Sequence, residues 1–259
     1  MSIVAAIANV VIKEMIRRKD FYVLFVLTAL ITLLAAFMNF FGDDRIVRYL
    51  KEICLLLIWV SSLVIAVGPA ARQIPAEREN RTIFPLLAKP VTRGQLVLGK
   101  FLGCWLVAGL ALLVFYLFFG VVSGLREQSW SLAHCAQAAV LHWMMLAVVI
   151  ALVLLGSVVL SAPSVNWTVT FIVVGGILFL GEHLNKVAMR LQEPGRSLLA
   201  GVYYLIPHLE WFDIRDLLIY NQKLVPMPVF VGAVVYAAAY AAIFLYATWL
   251  VFRRKPLSA

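Results

Sequence analysis

The sequence contains few charged residues for its length. Of its 259 residues only 14% are Asp, Glu, Lys or Arg, whereas 64% are apolar. A soluble domain carries about a quarter charged and about half apolar residues. The shortage of charge therefore excludes a soluble fold and predicts an all-α integral membrane protein, since helices satisfy their own backbone polar groups in lipid. We expect residues 1–259 to form a single transmembrane domain.

Cysteine is also scarce. Cys54, Cys104 and Cys135 are scattered and lack the paired spacing of a disulfide framework or a metal site. His134 stands beside Cys135, but sequence neighbours point to different helix faces, so we expect no metal there. No catalytic arrangement of side chains stands out, and the chain is not expected to be an enzyme. His142 is predicted to form a hydrogen bond between helices.

Charged residues are missing altogether from five long runs, at positions 21–42, 53–71, 101–125, 128–181 and 224–252. A membrane-spanning helix needs about 20 apolar residues. The fourth run has 54 residues and would be about 80 Å long as one helix, so it must hold two spans. The segment SAPSVN at 161–166 supplies the predicted turn between them. The pattern thus predicts six transmembrane helices.

The charges that remain are distributed unevenly between the two predicted sides. With both termini inside, the inner segments 1–20, 72–100, 161–166 and 253–259 hold 13 basic and four acidic residues. The outer segments hold nine of each. Excess Lys and Arg mark cytoplasmic segments, which predicts cytoplasmic termini. These charges flank spans and form no separate basic domain, so we expect contact with anionic membrane lipid and not with nucleic acid.

Residues 1–20 combine an apolar helical face with a basic cluster at the end. The face is formed by Ile3, Ile7, Val10, Val11 and Met15. Two interpretations remain open. The segment is an N-terminal amphipathic helix at the inner membrane interface, or it is a basic flank of the first span.

The predicted cytoplasmic loop 72–100 contains signals for two helices. Pro75 suits the first turn of a short helix that Pro85 ends. Thr92 and Gln95 have the spacing of a capping box, with Val91 and Leu96 placed for a hydrophobic staple. From Thr92 the sequence predicts an uninterrupted helix to about Gly124.

The segment GQLVLGKF at 94–101 matches seven of the eight letters of a nucleotide-binding loop, with Phe101 at the Ser or Thr position. Its glycines fall inside the predicted helix, where their N–H groups are already used, and Phe101 cannot bind magnesium. The match is therefore interpreted as accidental, and no bound cofactor is expected. Small residues four apart let membrane helices approach closely, so we predict helix packing at Gly99, Gly103, Gly120 and Gly124.

The predicted spans contain no Asp, Glu, Lys or Arg. Charged residues inside a membrane usually mark proton relays or ion coupling. Their absence argues against a proton-driven carrier and favours an external source of energy.

The loop 72–100 carries a distinctive series of residues, in the order Glu77, Glu79, Thr82-Ile83, Leu86-Leu87, Pro90-Val91-Thr92-Arg93 and Gly99-Lys100. The series resembles the first cytoplasmic loop of the six-span permease subunits of type-2 ABC exporters. That loop typically reads Glu, Gly-Thr-Leu, Leu-Leu, Pro-Val-Ser-Arg and Gly-Lys. This chain departs from it at Arg81, where Gly is usual, and at Thr92, which replaces Ser.

The resemblance implies a permease that forms half of a transmembrane dimer, with an identical or different second permease, in a prokaryotic cell membrane. It also implies a separate cytoplasmic ABC ATPase that binds ATP and magnesium. In such families a coupling helix in this loop docks into the ATPase. The residues that would make this contact are Glu77, Arg78, Glu79, Arg81, Thr82, Pro90 and Arg93. The alternatives are a solvated loop and, for Arg93 and Lys100, anchoring at lipid headgroups.

The stretch 182–225 is the long predicted outer loop, between spans five and six. Residues 198–206 are apolar but too few to cross, which predicts a re-entrant or interfacial segment that Pro207 ends. The resembled family holds short outer helices here that cap the exit. The residues that would form such a lid are Tyr203, Tyr204, Pro207 and Trp211. Simple anchoring of these aromatic side chains at the membrane interface is the alternative.

Two other functional classes remain open from the sequence. A secondary transporter would move its cargo without ATP while an ion gradient persists. A membrane scaffold of an assembly or maturation system would transport nothing.

Overall fold

The structure is a computed structural model that describes residues 2–17, 19–37, 44–79, 91–127, 132–160, 162–190, 192–220 and 222–255. These residues form helices and connecting turns, without a strand among them. The helices are α1 Ile3–Arg17, α2 Asp20–Phe37, α3 Asp44–Arg72, α4 Pro75–Glu79, α5 Arg93–Glu127, α6 Leu132–Val159, α7 Pro163–Ala188, α8 Gly195–Leu205, α9 Arg215–Ile219 and α10 Met227–Arg254, with a 3-10 turn at Leu209–Phe212.

Four helical stretches are long and apolar enough to cross a membrane: Arg48–Glu77, Arg93–Leu125, Leu132–Val159 and Met227–Arg254. Of two shorter apolar stretches, Tyr22–Leu33 lies within the predicted first span, and Pro163–Phe179 begins in the turn predicted at 161–166 and continues into the predicted fifth span. The prediction of an all-helical, membrane-embedded protein is confirmed. The count of six spans and the cytoplasmic position of the termini stay predictions.

Helix α6 lies at the centre of the bundle. Its side chains at positions 145–151 are all buried, which covers the whole circumference of the helix. A helix buried on every side needs protein neighbours around it, and α3, α5, α7 and α10 all pack against α6.

Helices α3 and α7 extend well beyond the charge-free runs that predicted them. Helix α3 begins at Asp44, well before position 53, and α7 continues to Ala188, beyond position 181. Helix α7 also begins at Pro163, inside the turn predicted at 161–166, because proline is well accommodated in the first turn of a helix. Its Asn166 is buried and donates from Nδ2 to the Val153 carbonyl at 3.1 Å, which joins α7 to α6.

Helix α1 packs lengthwise on α5 at two glycines. A methyl group on Gly99 would lie 2.7 Å from the Cβ of Ile7, and one on Gly103 would lie 2.6 Å from the Cβ of Val11. The same sequence offset at both contacts shows that α1 and α5 run in the same direction here. Val11 and Met15, from the predicted apolar face, are buried against protein. The position of α1 at the membrane interface stays a prediction.

The other two glycines of the predicted packing set differ from each other. Gly124 is buried in α5, whereas a methyl group on Gly120 would meet no atom within 4 Å. Gly120 lines an apolar cavity of about 810 Å³ between α5 and α6, with Cys135 on the facing helix. Helix packing at Gly120 therefore stays a prediction that requires another chain.

Two tryptophans, one on α5 and one on α6, hold these helices together. The rings of Trp105 and Trp143 stack with centroids 4.3 Å apart and planes 14° apart. Each indole Nε1–H donates to the backbone carbonyl of the other residue, at 3.1 Å from Trp105 and 2.9 Å from Trp143. Gly109 makes room for this crossing, because a methyl group there would lie 2.5 Å from Nε1 of Trp143.

The glycine contacts generate a matched test. We expect Gly103→Ala to reduce the free energy of unfolding by about 1–3 kcal/mol, because its methyl group overlaps Val11 and the two backbones must separate. Gly120→Ala is the control, since it adds the same methyl group to the same helix in open space and gains helix propensity. Thermal unfolding of the purified variants in one detergent compares them. Equal midpoints would contradict the close approach of α1 to α5.

Candidate functional site

The start of α5 is fixed by reciprocal hydrogen bonds between Thr92 and Gln95. The Gln95 backbone N–H donates to Thr92 Oγ1 at 3.2 Å, and the Thr92 backbone N–H donates to Gln95 Oε1 at 3.0 Å. This confirms the predicted capping box. Helix α5 then runs without interruption from Arg93, so Gly94 and Gly99 are helical, as the sequence indicates.

Lys100 forms a buried polar cluster with the end of α3 and with α4. Its ammonium donates to the Gln73 carbonyl at 2.9 Å and to Gln73 Oε1 at 3.0 Å, and pairs with Glu77 Oε1 at 2.7 Å. Lys100 is only 2% exposed. The prediction that it anchors at lipid headgroups is wrong, because a carboxylate and two oxygens of Gln73 attract the ammonium into the protein.

Arg93 binds the last turn of α10. Its Nη1 donates to the backbone carbonyls of Phe252, Arg253 and Lys255, and its guanidinium lies 5.3 Å above the Phe252 ring. Terminal carbonyls of a helix have no partner within the helix, and a basic side chain satisfies them. Arg93 is therefore bound to protein through Nη1, and the alternative that it also anchors at lipid headgroups stays a prediction.

Lys255 makes the corresponding contact with α6. Its Nζ donates to the carbonyls of Val158 at 2.7 Å and Val159 at 3.1 Å. Beneath these caps lies a small apolar cluster in which α5, α6, α10 and the α3–α4 turn meet. Its buried members are Ile74, Leu96, Val97, Val158 and Phe252.

We call residues 73–79 and 91–100 the loop base, because they flank residues 80–90 of the predicted coupling loop. The structure brings Glu77 and Arg93, both predicted to contact an ATPase, into this base. Arg78 and Glu79 belong to the last turn of α4. The other predicted contact residues, Arg81, Thr82 and Pro90, lie outside the described residues. The ATPase contact itself stays a prediction.

Two of the predicted lid residues contact the ring of His208, which no local pattern in the sequence marks, and a third packs on one of these two. The His208 ring lies 4.4 Å from Tyr203 and 5.0 Å from Trp211, and Tyr203 contacts Tyr204 at 5.5 Å. His208 Nδ1 is 3.3 Å from Glu210 Oε1. The fourth lid residue, Pro207, is buried beside this group.

Helix α10 completes the aromatic group. The Tyr236 hydroxyl accepts from the His208 backbone N–H at 2.9 Å, and the Tyr240 hydroxyl donates to the Tyr204 carbonyl at 3.4 Å. Tyr236 and Tyr240 fall in a run of apolar span residues, where no local pattern marks them as partners of residues 203–211. A lid function of this group stays a prediction.

The rest of the predicted outer loop is held by α3 and α6. Lys51 donates to the Leu218 carbonyl at 3.2 Å, and Gln137 exchanges two hydrogen bonds with the Val225 backbone, at 2.9 and 3.0 Å. The Arg215 guanidinium lies 5.3 Å above the Trp59 ring. Its hydrogen bonds to Asp213 raise the pKa of Arg215 above the ordinary value, so the guanidinium stays charged.

The interior contains one interhelical polar group that the sequence predicted. Ser62 Oγ lies 2.8 Å from His142 Nε2, and the Tyr116 hydroxyl lies 3.3 Å from His142 Nδ1. His142 thus joins α3, α5 and α6, which confirms its predicted role. Over the described residues no group of three His, Cys, Asp or Glu side chains is placed to hold a metal ion.

Comparison with known proteins finds one protein family whose model covers nearly the whole chain. The family model described as ABC-2 family transporter protein matches residues 5–257. No curated protein matches the chain.

The Lys100 cluster generates a stability test. We expect Lys100→Met to reduce the free energy of unfolding by about 2–4 kcal/mol, because it leaves the Glu77 carboxylate without its cation. Lys13→Met, on the exposed side of α1, is the matched control. In a double-mutant cycle with Glu77→Gln, thermal unfolding should show a coupling of at least about 1 kcal/mol. Additive effects would mean that the two side chains do not interact.

Proposed function

The chain belongs to the ABC-2 transporter family, and we propose that it is a permease subunit of an exporter driven by ATP hydrolysis on a separate cytoplasmic chain. Family membership makes it a membrane component of an ABC transporter. Its outward direction of transport, its ATPase and its pairing with a second permease are parts of the proposal.

The observation that carries the proposal is the connection of the loop base to three spanning helices. Lys100 joins α5 to Gln73, directly after α3, and to Glu77 in α4, and Arg93 joins the first turn of α5 to α10. A force applied to residues 80–90 is therefore transmitted through these contacts to α3, α5 and α10. A loose connection would absorb the movement of an attached ATPase, whereas buried ion pairs and capped helix ends resist it.

The position of Lys100 supports an energy source on another chain. In a nucleotide-binding loop the corresponding lysine contacts phosphate, and the glycine N–H groups before it are free. In this chain the Lys100 ammonium is already bound by Gln73 and Glu77, and Gly94 and Gly99 lie within α5. We therefore assign ATP and magnesium to the partner ATPase.

Exposed small residues on α10 support pairing with a second permease. Gly232, Ala238, Ala239 and Ala242 are all exposed on this helix, and a methyl group on Gly232 would meet no atom within 4 Å. Membrane helices associate closely where small residues face each other. We propose that α10 contributes to the contact between two permease copies, identical or different.

The loop generates a test that separates binding from force transmission. We expect Glu79→Lys to weaken co-purification of the ATPase about tenfold, which is about 1.4 kcal/mol of association free energy. Lys100→Met should leave co-purification intact and lower the cargo moved per ATP in inverted vesicles, because it loosens the base without changing residues 80–90.

The control for charge is Lys223→Glu, at the predicted outer side, which should change neither quantity. Glu77 is left intact in the binding variant, since Glu77→Lys would place two ammonium groups together and disturb the base itself. Unchanged co-purification with Glu79→Lys would contradict the proposed contact. Transport that persists without ATP would contradict the proposed energy source.

A further inference from the structure

A groove of about 670 Å³ lies where α1 ends and α2 begins. Along α2 it is lined by Val23, Val26, Leu27 and Leu30, whose spacing places them on one helix face. Between 48% and 63% of each side chain is exposed. These four side chains form an apolar strip, called the lane below, that extends about 10 Å along the helix axis.

The other end of the groove is basic. It is lined by Arg17, the last residue of α1, by Lys19, and by Tyr22 in the first turn of α2. Arg17 and Lys19 are exposed, and within the described part of the chain neither forms an ion pair with a carboxylate. A guanidinium and an ammonium two residues apart can both reach one phosphate group.

We propose that this groove binds one anionic phospholipid. The phosphate lies between Arg17 and Lys19, and one acyl chain follows Val23, Val26 and Leu30. The charge complementarity of a basic head end and an apolar lane selects this occupant. A free phosphate would occupy only the head end and leave the lane empty.

The composition of the lane distinguishes a lipid from a second protein helix. Close association of helices in a membrane depends on small residues that let the backbones approach. Apart from its basic end, the groove is lined by valine, leucine and tyrosine side chains, and its described residues include no glycine, alanine or serine. Large branched side chains are suited to a flexible acyl chain that conforms to their surface.

The site also has a route to the loop base. Arg17 ends the helix whose Ile7 and Val11 pack on Gly99 and Gly103, to either side of Lys100 in the sequence of α5. A lipid held at the α1–α2 junction therefore restrains the helix that covers this part of α5.

Native mass spectrometry of the detergent-purified chain, titrated with dioleoyl phosphatidylglycerol, tests the proposal. We expect Arg17→Gln with Lys19→Gln to weaken retention of one lipid about thirtyfold, at about fivefold for each basic residue. The control is Lys13→Gln with Arg254→Gln, which removes two exposed basic residues that do not line the groove and should leave that lipid bound. Dioleoyl phosphatidylcholine should bind this site weakly in the unchanged protein.

A second pair of variants tests the apolar lane. Val26→Asn with Leu30→Asn should weaken phosphatidylglycerol retention, and glycerol phosphate should not compete with the lipid. Equal retention by the basic variant and its control, or displacement by glycerol phosphate alone, would overturn the proposal. Cross-linking of Val26→Cys between two copies would also overturn it, since the groove would then be a contact between permeases.

Discussion

A buried ammonium group must meet negative charge where it lies, and the Lys100 ammonium meets it at Glu77 and Gln73. Because removing either partner would leave an uncompensated charge in an apolar region, the end of α3, the turn that follows and the first two turns of α5 have one mutual arrangement. The Lys100–Glu77 ion pair therefore fixes the position of the loop base. The two segments that flank residues 80–90 consequently leave the bundle at a defined place.

The same physical demand shapes the ends of several helices. Carbonyl groups in a final turn have no partner within the helix, and lipid offers none. Arg93 donates to such carbonyls in α10, Lys255 to those of α6, and Lys51 to one at the end of α9. Basic residues that a count of charges assigns to the membrane surface thus hold helices together, and their positive charge also suits the negative end of each helix dipole.

Local signals in the sequence predicted the parts of the structure that depend on neighbours in the chain. The charge-free runs marked the apolar helices, and the Thr92–Gln95 spacing gave the start of α5 correctly. The partners of Lys100 and Arg93 could not be predicted, because they lie 27 and about 160 residues away. His208 was missed for the same reason, since Tyr236 belongs to another helix and has no charge to reveal it.

The tryptophan crossing has a mechanical consequence. Trp105 and Trp143 hold α5 to α6 at a crossing that lies nearer one end of α5 than the other, so a tilt of α5 about this crossing has two unequal arms. Lys100 lies five residues to one side, about 7.5 Å, and Leu125 lies twenty residues to the other, about 30 Å. A rigid tilt that moves Lys100 by about 1 Å would swing Leu125 by about 4 Å in the opposite direction. In such a tilt, a short movement of the loop base would accompany a wider movement at the opposite end of α5.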